Sequence, residues 1–242
     1  FMKFDKIIKE DLSIFLSNFI KFLTSTKIEK KSDWLKHCIK IKNIKKIVIK
    51  KNTSKPIDLY YFMNQLSVLG PKNSIFVNDA GSNYYVGGQV WNFEKNQIEV
   101  CSSTNAAMGV SVPLSIGAAI ARKQNFVISV TGDGSIELNI QELKTISHYN
   151  LNIKTFVINN GGYASMRKWQ DNIFKGNRLD TKEKTGVGTL NFKKISDAFE
   201  LSYMIIDNPK EIKKKLQKIF SNKNPMLIEV VTNPNQKILG QL

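Results

Sequence analysis

From residue 57 onward, short runs of β-branched and apolar residues alternate with longer amphipathic stretches. The periods predict a helix at about 57–69, a strand at 74–78, a loop and helix at 79–91 and a strand at 97–101. They continue with a helix at about 112–123, Pro113 in its first turn, a strand at 126–131, a helix at 136–149 and a strand at 153–158. After a loop rich in Gly and Lys come a helix at 192–200, a strand at 202–206, a helix at 209–221 and a strand at 226–231. Strands alternating with helices mean an α/β fold: a mostly parallel, doubly wound sheet with helices on both faces. Ligands in such folds sit beyond the carboxyl ends of the strands. No internal repeat is apparent.

Residues 1–52 read differently. Leu12, Phe15, Leu16, Phe19, Ile20 and Leu23 recur at helical spacing over Asp11–Leu23. A second short helix is expected from Ser32, placed to cap it, to roughly Lys42, with Trp34 near its start. Neither segment could bury its apolar face alone. Residues 1–52 are therefore expected to be the helical tail of a preceding domain with a Lys-rich linker, and 53–242 the main domain.

Two strand ends carry the chemistry. Phe126–Thr131 runs into Gly132-Asp133-Gly134-Ser135, and Ile153–Ile158 runs into Asn159-Asn160-Gly161-Gly162. The stretch between them has the length of a strand-helix-strand return to the same sheet. An aspartate and an asparagine then arrive side by side at neighbouring strand tips, with a helix N-terminus between them. Oxygen ligands for a hard divalent cation and a positive dipole for phosphate meet in one place, as a metal-bound diphosphate requires. A dinucleotide site fits less well, because Glu137 stands where the third glycine of G-x-G-x-x-G belongs. An acid inside that turn would also repel a bare pyrophosphate unless a cation lay between them. No P-loop motif occurs. The structural alternative is that Asp133 caps a helix and Asn160 occupies a turn; the pairing of the two motifs argues for the metal site.

Composition narrows the setting. The 242 residues, 42% hydrophobic and 23% charged, suffice for one large domain and an appendage. No apolar run approaches the roughly 20 residues of a membrane span, and no secretory signal is visible. Cys38 and Cys101 fit a reduced, cytoplasmic setting better than a disulfide framework. His37 and His148 sit near no group that would suggest a triad. The net charge of +16 brings nucleic acid into consideration, since Lys40, Lys42, Lys45, Lys46, Lys50, Lys51 and Lys55 fall in an acid-free stretch. The run is almost all Lys with no interleaved aromatics, so a solvated linker explains it better.

The paired motifs resemble the signature of thiamine-diphosphate enzymes, and the likeness extends over nearly the whole chain. Ala107-Met108-Gly109-Val110-Ser111-Val112-Pro113-Leu114-Ser115-Ile116-Gly117-Ala118 is similar to the acetolactate synthase segment T-M-G-x-G-L-P-A-A-I-G-A. Asn160 to Trp169-Gln170 resembles its N-x-x-x-G-M-V-x-x-W-Q run. Asn191–Phe199 and Pro225–Val230 match the tail of the diphosphate-binding domain. Residues 5–45 look like the last helices of that family's middle domain. The resemblance is to acetolactate synthase-like large subunits, here as their carboxyl-terminal part.

That resemblance implies roles. Asp133, the Asn160 side chain and the Gly162 carbonyl would bind Mg²⁺ together with two diphosphate oxygens. Gly132 belongs to the same cofactor-binding turn, and Gly134 and Ser135 would supply backbone and hydroxyl donors to the diphosphate. Gly81, Ser82 and Asn83 would face the same phosphates. Met108 would be the buttress under the bent thiamine diphosphate, and Ser165 and Trp169 would line the substrate pocket. Read without the resemblance, Met108 is a gap-filler and Trp169, on a helix after the binding loop, is simple packing. The sequence departs from the family at Asn105-Ala106-Ala107, where glycines often precede the buttress. It also departs at Ser165, which replaces a methionine, and at Ser82, Asn83 and Tyr84, where Gln, His and Gln are usual.

The implied activity is decarboxylation of a 2-oxoacid, chiefly pyruvate, and transfer of the two-carbon unit to a carbonyl acceptor. The alternatives are a decarboxylase or lyase that releases an aldehyde, and a catalytically silent module of the same fold. The family's activating glutamate lies on a pyrimidine-binding domain that these residues do not contain. That domain is expected from the same or a partner protomer of a homo-oligomer, and the chain alone is expected to be inactive.

Overall fold

The computed structural model describes residues 3–27, 29, 31–44, 47–122, 126–181 and 188–239. Lys45 and Lys46 of the lysine run, and much of the Gly- and Lys-rich loop, lie outside the described residues. The chain divides into two compact units, residues 1–46 and 47–242. Among the described residues no helix is long and apolar enough to cross a membrane.

The first unit holds two helices, α1 (Leu12–Ser25) and α2 (Ser32–Ile44). The Asp11 carboxylate accepts the Ser13 N–H at 2.9 Å and so caps α1. Helix α2 starts at Ser32, as expected. The Leu35 N–H bonds the Lys31 carbonyl, which makes Ser32 its first residue rather than its cap. No residue of either helix is buried: Phe19, Ile20, Trp34 and Leu35 all face outward.

The second unit follows the predicted alternation. Its helices are α3 (Leu59–Leu69), α4 (Ser82–Val90), α5 (Ser111–Ala121), α6 (Glu142–His148), α7 (Ala164–Ile173), α8 (Phe192–Ala198) and α9 (Ile212–Ser221). The strands are β1 (Ile75–Asn78), β2 (Ile98–Val100), β3 (Val127–Gly132), β4 (Ile153–Asn159), β5 (Ser202–Ile206) and β6 (Met226–Val231). They form one parallel sheet in the order β2-β1-β3-β4-β6-β5.

Alternate strand residues feed two cores. Phe76, Ile128, Phe156 and Ile228 pack with α3, α4 and α9 on one face. Val77, Val127, Val157 and Leu227 pack with α5, α6 and α8 on the other. With both faces covered, the central strands read as nearly continuous apolar runs. The chain passes from β1 outward to β2 and then returns to β3 on the opposite side of β1. The crevice beyond the tips of β1 and β3 is thus a topological switch point.

Three expectations differ in detail. The helix expected at 136–149 is a 3₁₀ turn (Ile136–Asn139) followed by α6, because the Asn139 amide reaches back to the Gly109 carbonyl at 3.0 Å. The helix expected at 209–221 likewise opens with a 3₁₀ turn at Pro209–Glu211, capped by Asn208. Helix α7, expected only from the place of Trp169 after the binding loop, occupies part of the stretch that the alternation leaves as loop after β4. Its apolar residues Met166, Trp169 and Ile173 are exposed while Arg167 is buried, the reverse of an ordinary amphipathic helix.

Candidate functional site

The tips of β3 and β4 are joined through one carboxylate. Asp133 is 4% exposed. Its Oδ1 accepts the Gly134 N–H at 3.0 Å, and its Oδ2 accepts the N–H groups of Asn160 at 3.0 Å and Gly162 at 2.7 Å. Asp133 therefore does not cap the turn that follows it; it organises the loop on the neighbouring strand. Burial pushes its pKa up, while the three N–H donors and the Arg167 charge oppose that. Gly161 and Gly162 have φ of +79° and +77°, and Tyr163 continues in the left-handed region at +44°. Glycine is needed for the first two of these positions.

Arg167 holds the other side of the same turn. Its guanidinium donates to the carbonyls of Gly161 at 2.8 Å and Asn160 at 2.9 Å, and to Pro234 at 3.4 Å. Burial lowers its pKa, with Asp133 acting against the shift. Asn160 Oδ1 is left buried and without a hydrogen-bond partner, one of two such side-chain atoms among the described residues; the other is Trp91 Nε1. A buried amide oxygen with no donor beside a carboxylate is a ready ligand for a cation.

A cavity of about 250 Å³ opens at this point. Gly132, Asp133, Gly134, Ser135 and Asn160 form its floor, and Gly81, Ser82 and Asn83 at the start of α4 form one wall. Met108 lines it, and Ser165 and Trp169 stand on α7. Gly162 joins through its bond to Asp133. Some donors expected to face a ligand are committed within the protein. The Gly134 N–H serves Asp133, and the Asn83 amide donates to Asn78 Oδ1 at 3.0 Å and the Val130 carbonyl at 3.4 Å. The hydroxyls of Ser82 and Ser165 lie 3.3 Å apart and link α4 to α7.

Three residues given no role from the sequence shape the site. Asp79, buried after β1, accepts the N–H groups of Ala80, Gly109 and Ser111 and the Thr131 hydroxyl. It thereby fixes the loop that carries Met108; an acid ending an apolar strand was its signal. Arg167 had none beyond lying on the buried side of α7. The Tyr163 ring lies against Gly134, where a Cβ would come within 3.1 Å of it. Among the described residues no three His, Cys, Asp or Glu side chains cluster. A cation here would depend on Asp133, amide and carbonyl oxygens, and oxygens of the ligand itself.

Residues 79–230 match the family described as thiamine pyrophosphate enzyme, C-terminal TPP binding domain. The chain belongs to that family. It is 31% identical to an acetolactate synthase large subunit of Porphyra purpurea, over 78% of this chain and 31% of that protein. A Buchnera aphidicola acetolactate synthase large subunit is 34% identical over 60% of this chain and 25% of its own length. A probable acetolactate synthase large subunit of Methanocaldococcus jannaschii is 29% identical over 92% of this chain and 38% of its own. The chain thus spans roughly a third of the length of such relatives. The matched stretch of this TPP-binding domain includes Asp79, Asp133, Asn160 and Arg167.

Proposed function

We propose that this TPP-binding domain holds thiamine diphosphate through a Mg²⁺ ion ligated by the Asp133 carboxylate, the Asn160 side chain and the Gly162 carbonyl. It would serve an enzyme that decarboxylates a 2-oxoacid, pyruvate foremost, and transfers the two-carbon unit to a carbonyl acceptor. The observation that carries this reading is the unpartnered, buried Asn160 Oδ1 on the turn organised by Asp133.

The residues present fit the cofactor. Asp133 is preset by three N–H donors, so little ordering remains for ligand capture. Gly132 and Gly134 line the cavity without side chains, and Ser135 lines it with a hydroxyl that can donate to a phosphate oxygen. Gly81 and Ser82 face the same space, while Asn83 braces the tips of β1 and β3. Met108, held by Asp79 through Gly109, would buttress the cofactor's bent form. When bound, thiamine diphosphate supplies the electron sink for decarboxylation. Ser165 and Trp169 would border the substrate.

Among the described residues no Lys, Arg or His lines the cavity. A substrate carboxylate would have to be met from elsewhere, which agrees with a pyrimidine-binding domain, on the same or a partner protomer of a homo-oligomer, completing the site. The chain alone would then bind cofactor weakly and turn over nothing. Two free cysteines, Cys38 exposed and Cys101 half-buried, suit a cytoplasmic setting.

Calorimetry with thiamine diphosphate tests the reading. Binding is expected with Mg²⁺, to be lost when the metal is chelated, and to be abolished by Asp133→Ala. Cation-independent binding, or none at all as a silent module would give, overturns it. Decarboxylation of pyruvate by the pure 242-residue chain would overturn the dependence on a second domain.

A further inference from the structure

The 160–162 turn is held from a third direction, by a row of polar side chains crossing three strands. Asn159, the last residue of β4, accepts the Gly161 N–H through Oδ1 at 3.2 Å. Its Nδ2 donates to Glu229 Oε1 on β6 at 2.7 Å. The other oxygen of Glu229 accepts the Tyr203 hydroxyl on β5 at 2.5 Å. On the same sheet face the positions below are Val157 and Leu227, both fully buried.

Glu229 itself is half-buried, and its carboxylate is costly on the buried side unless its oxygens are satisfied. Both oxygens of Glu229 meet neutral donors, and among the described residues no Lys or Arg forms an ion pair with it. Its charge is therefore available to strengthen the bond from Asn159. That bond decides which way the Asn159 amide points: with Nδ2 drawn to Glu229, Oδ1 faces the Gly161 N–H. Every backbone N–H from Asn160 to Gly162 then meets a side-chain oxygen, in the order Asp133, Asn159, Asp133.

We infer that Tyr203, Glu229 and Asn159 are positioning residues, a relay that presets the 160–162 turn for the cation and the diphosphate. The inference rests on the function proposed for that turn. If the row serves only to satisfy polar groups in the sheet, its loss lowers stability and leaves the turn and its metal dependence as they were.

The experiment uses the full 242-residue chain with Glu229→Leu, Glu229→Gln and Tyr203→Phe. Three quantities are read: the hydrogen-exchange rate of the Gly161 N–H without ligand, the Mg²⁺ dependence of thiamine diphosphate binding, and thermal unfolding. Glu229→Leu is expected to speed Gly161 exchange and to weaken Mg²⁺-dependent binding about tenfold or more, the scale of lost outer-sphere support. Glu229→Gln can still accept from Asn159 and is expected to restore most of both. Tyr203→Phe keeps the carboxylate and should fall between. If Glu229→Leu does not fold, Tyr203→Phe decides through Gly161 exchange. A lowered unfolding temperature with wild-type Gly161 exchange and wild-type Mg²⁺ dependence overturns the inference. Absence of Mg²⁺-dependent binding in the wild type would instead sink the proposed function, and Gly161 exchange would still decide whether the row presets the turn.

Discussion

Asp133 and Arg167 grip one turn from opposite sides. The carboxylate takes the N–H groups of Asn160 and Gly162, and the guanidinium takes the carbonyls of Asn160 and Gly161. The three N–H groups of the turn and the carbonyls of Asn160 and Gly161 are satisfied by the protein, while the Asn160 side-chain oxygen is not.

Removing the guanidinium should therefore loosen both fold and site. Arg167→Met takes the donor from the carbonyls of Asn160, Gly161 and Pro234, and each group left buried and unsatisfied costs about 1–3 kcal/mol. A fall in unfolding free energy of about that size in urea, with weaker thiamine diphosphate binding, is expected. Unchanged values in both would remove Arg167 from the account.

Asn160→Ala should separate stability from binding. The oxygen it deletes has no partner in the folded protein, so stability is expected to stay within about 0.5 kcal/mol or to rise. Mg²⁺-dependent cofactor binding is expected to be lost. A strongly destabilised variant that still binds would contradict the ligand role.

Gly109→Ala tests the support of Met108. Gly109 has φ +78°, and an added Cβ would sit 2.8 Å from Leu138 Cβ and 3.0 Å from the Ser135 carbonyl. Strain and overpacking predict a loss of about 1–3 kcal/mol in thermal or urea unfolding. A neutral result would show that the 108–109 loop yields easily.

Lys154 predicts an alkaline rise in stability. It is fully buried near the start of β4, bonded to Asn152 Oδ1 at 3.0 Å and the Asn224 carbonyl at 2.5 Å. Burial pulls its pKa down from 10.5 to about 8. Between those values the unfolded chain binds more protons than the folded one, so stability climbs as pH rises from about 8. Tyr203 acts oppositely. Burial and the bond to Glu229 raise its pKa above 10.0, so its ionisation in the unfolded chain lowers stability beyond that pH. Urea midpoints should increase from pH 8 toward 10 in the wild type and stay flat over that window in Lys154→Met.

The parts of the site that line the cavity were the legible ones. Gly132-Asp133 and Asn159-Asn160 stand at strand ends, where residue type and spacing state a chemistry, and both reach the cavity. The sheet was readable because strands covered on two faces carry long apolar runs. Helix α7 was obscured, since its buried side holds Arg167 and its apolar side chains are exposed. Asp79, Arg167 and Glu229 escaped because they act by holding backbone or another side chain. Such a role depends on which segments the fold brings together, and apart from the place of Asp79 as an acid ending an apolar strand, nothing in the local pattern states it.

The place of β6 between β4 and β5 has a consequence for biosynthesis. Its pairing with β4 and the Pro234 carbonyl on Arg167 both support the 160–162 turn from residues made late. While the chain is still emerging from the ribosome, that turn lacks its last neighbours. On the proposed function, a chain that stopped short of β6 would lack these supports of the turn and is expected to bind thiamine diphosphate more weakly.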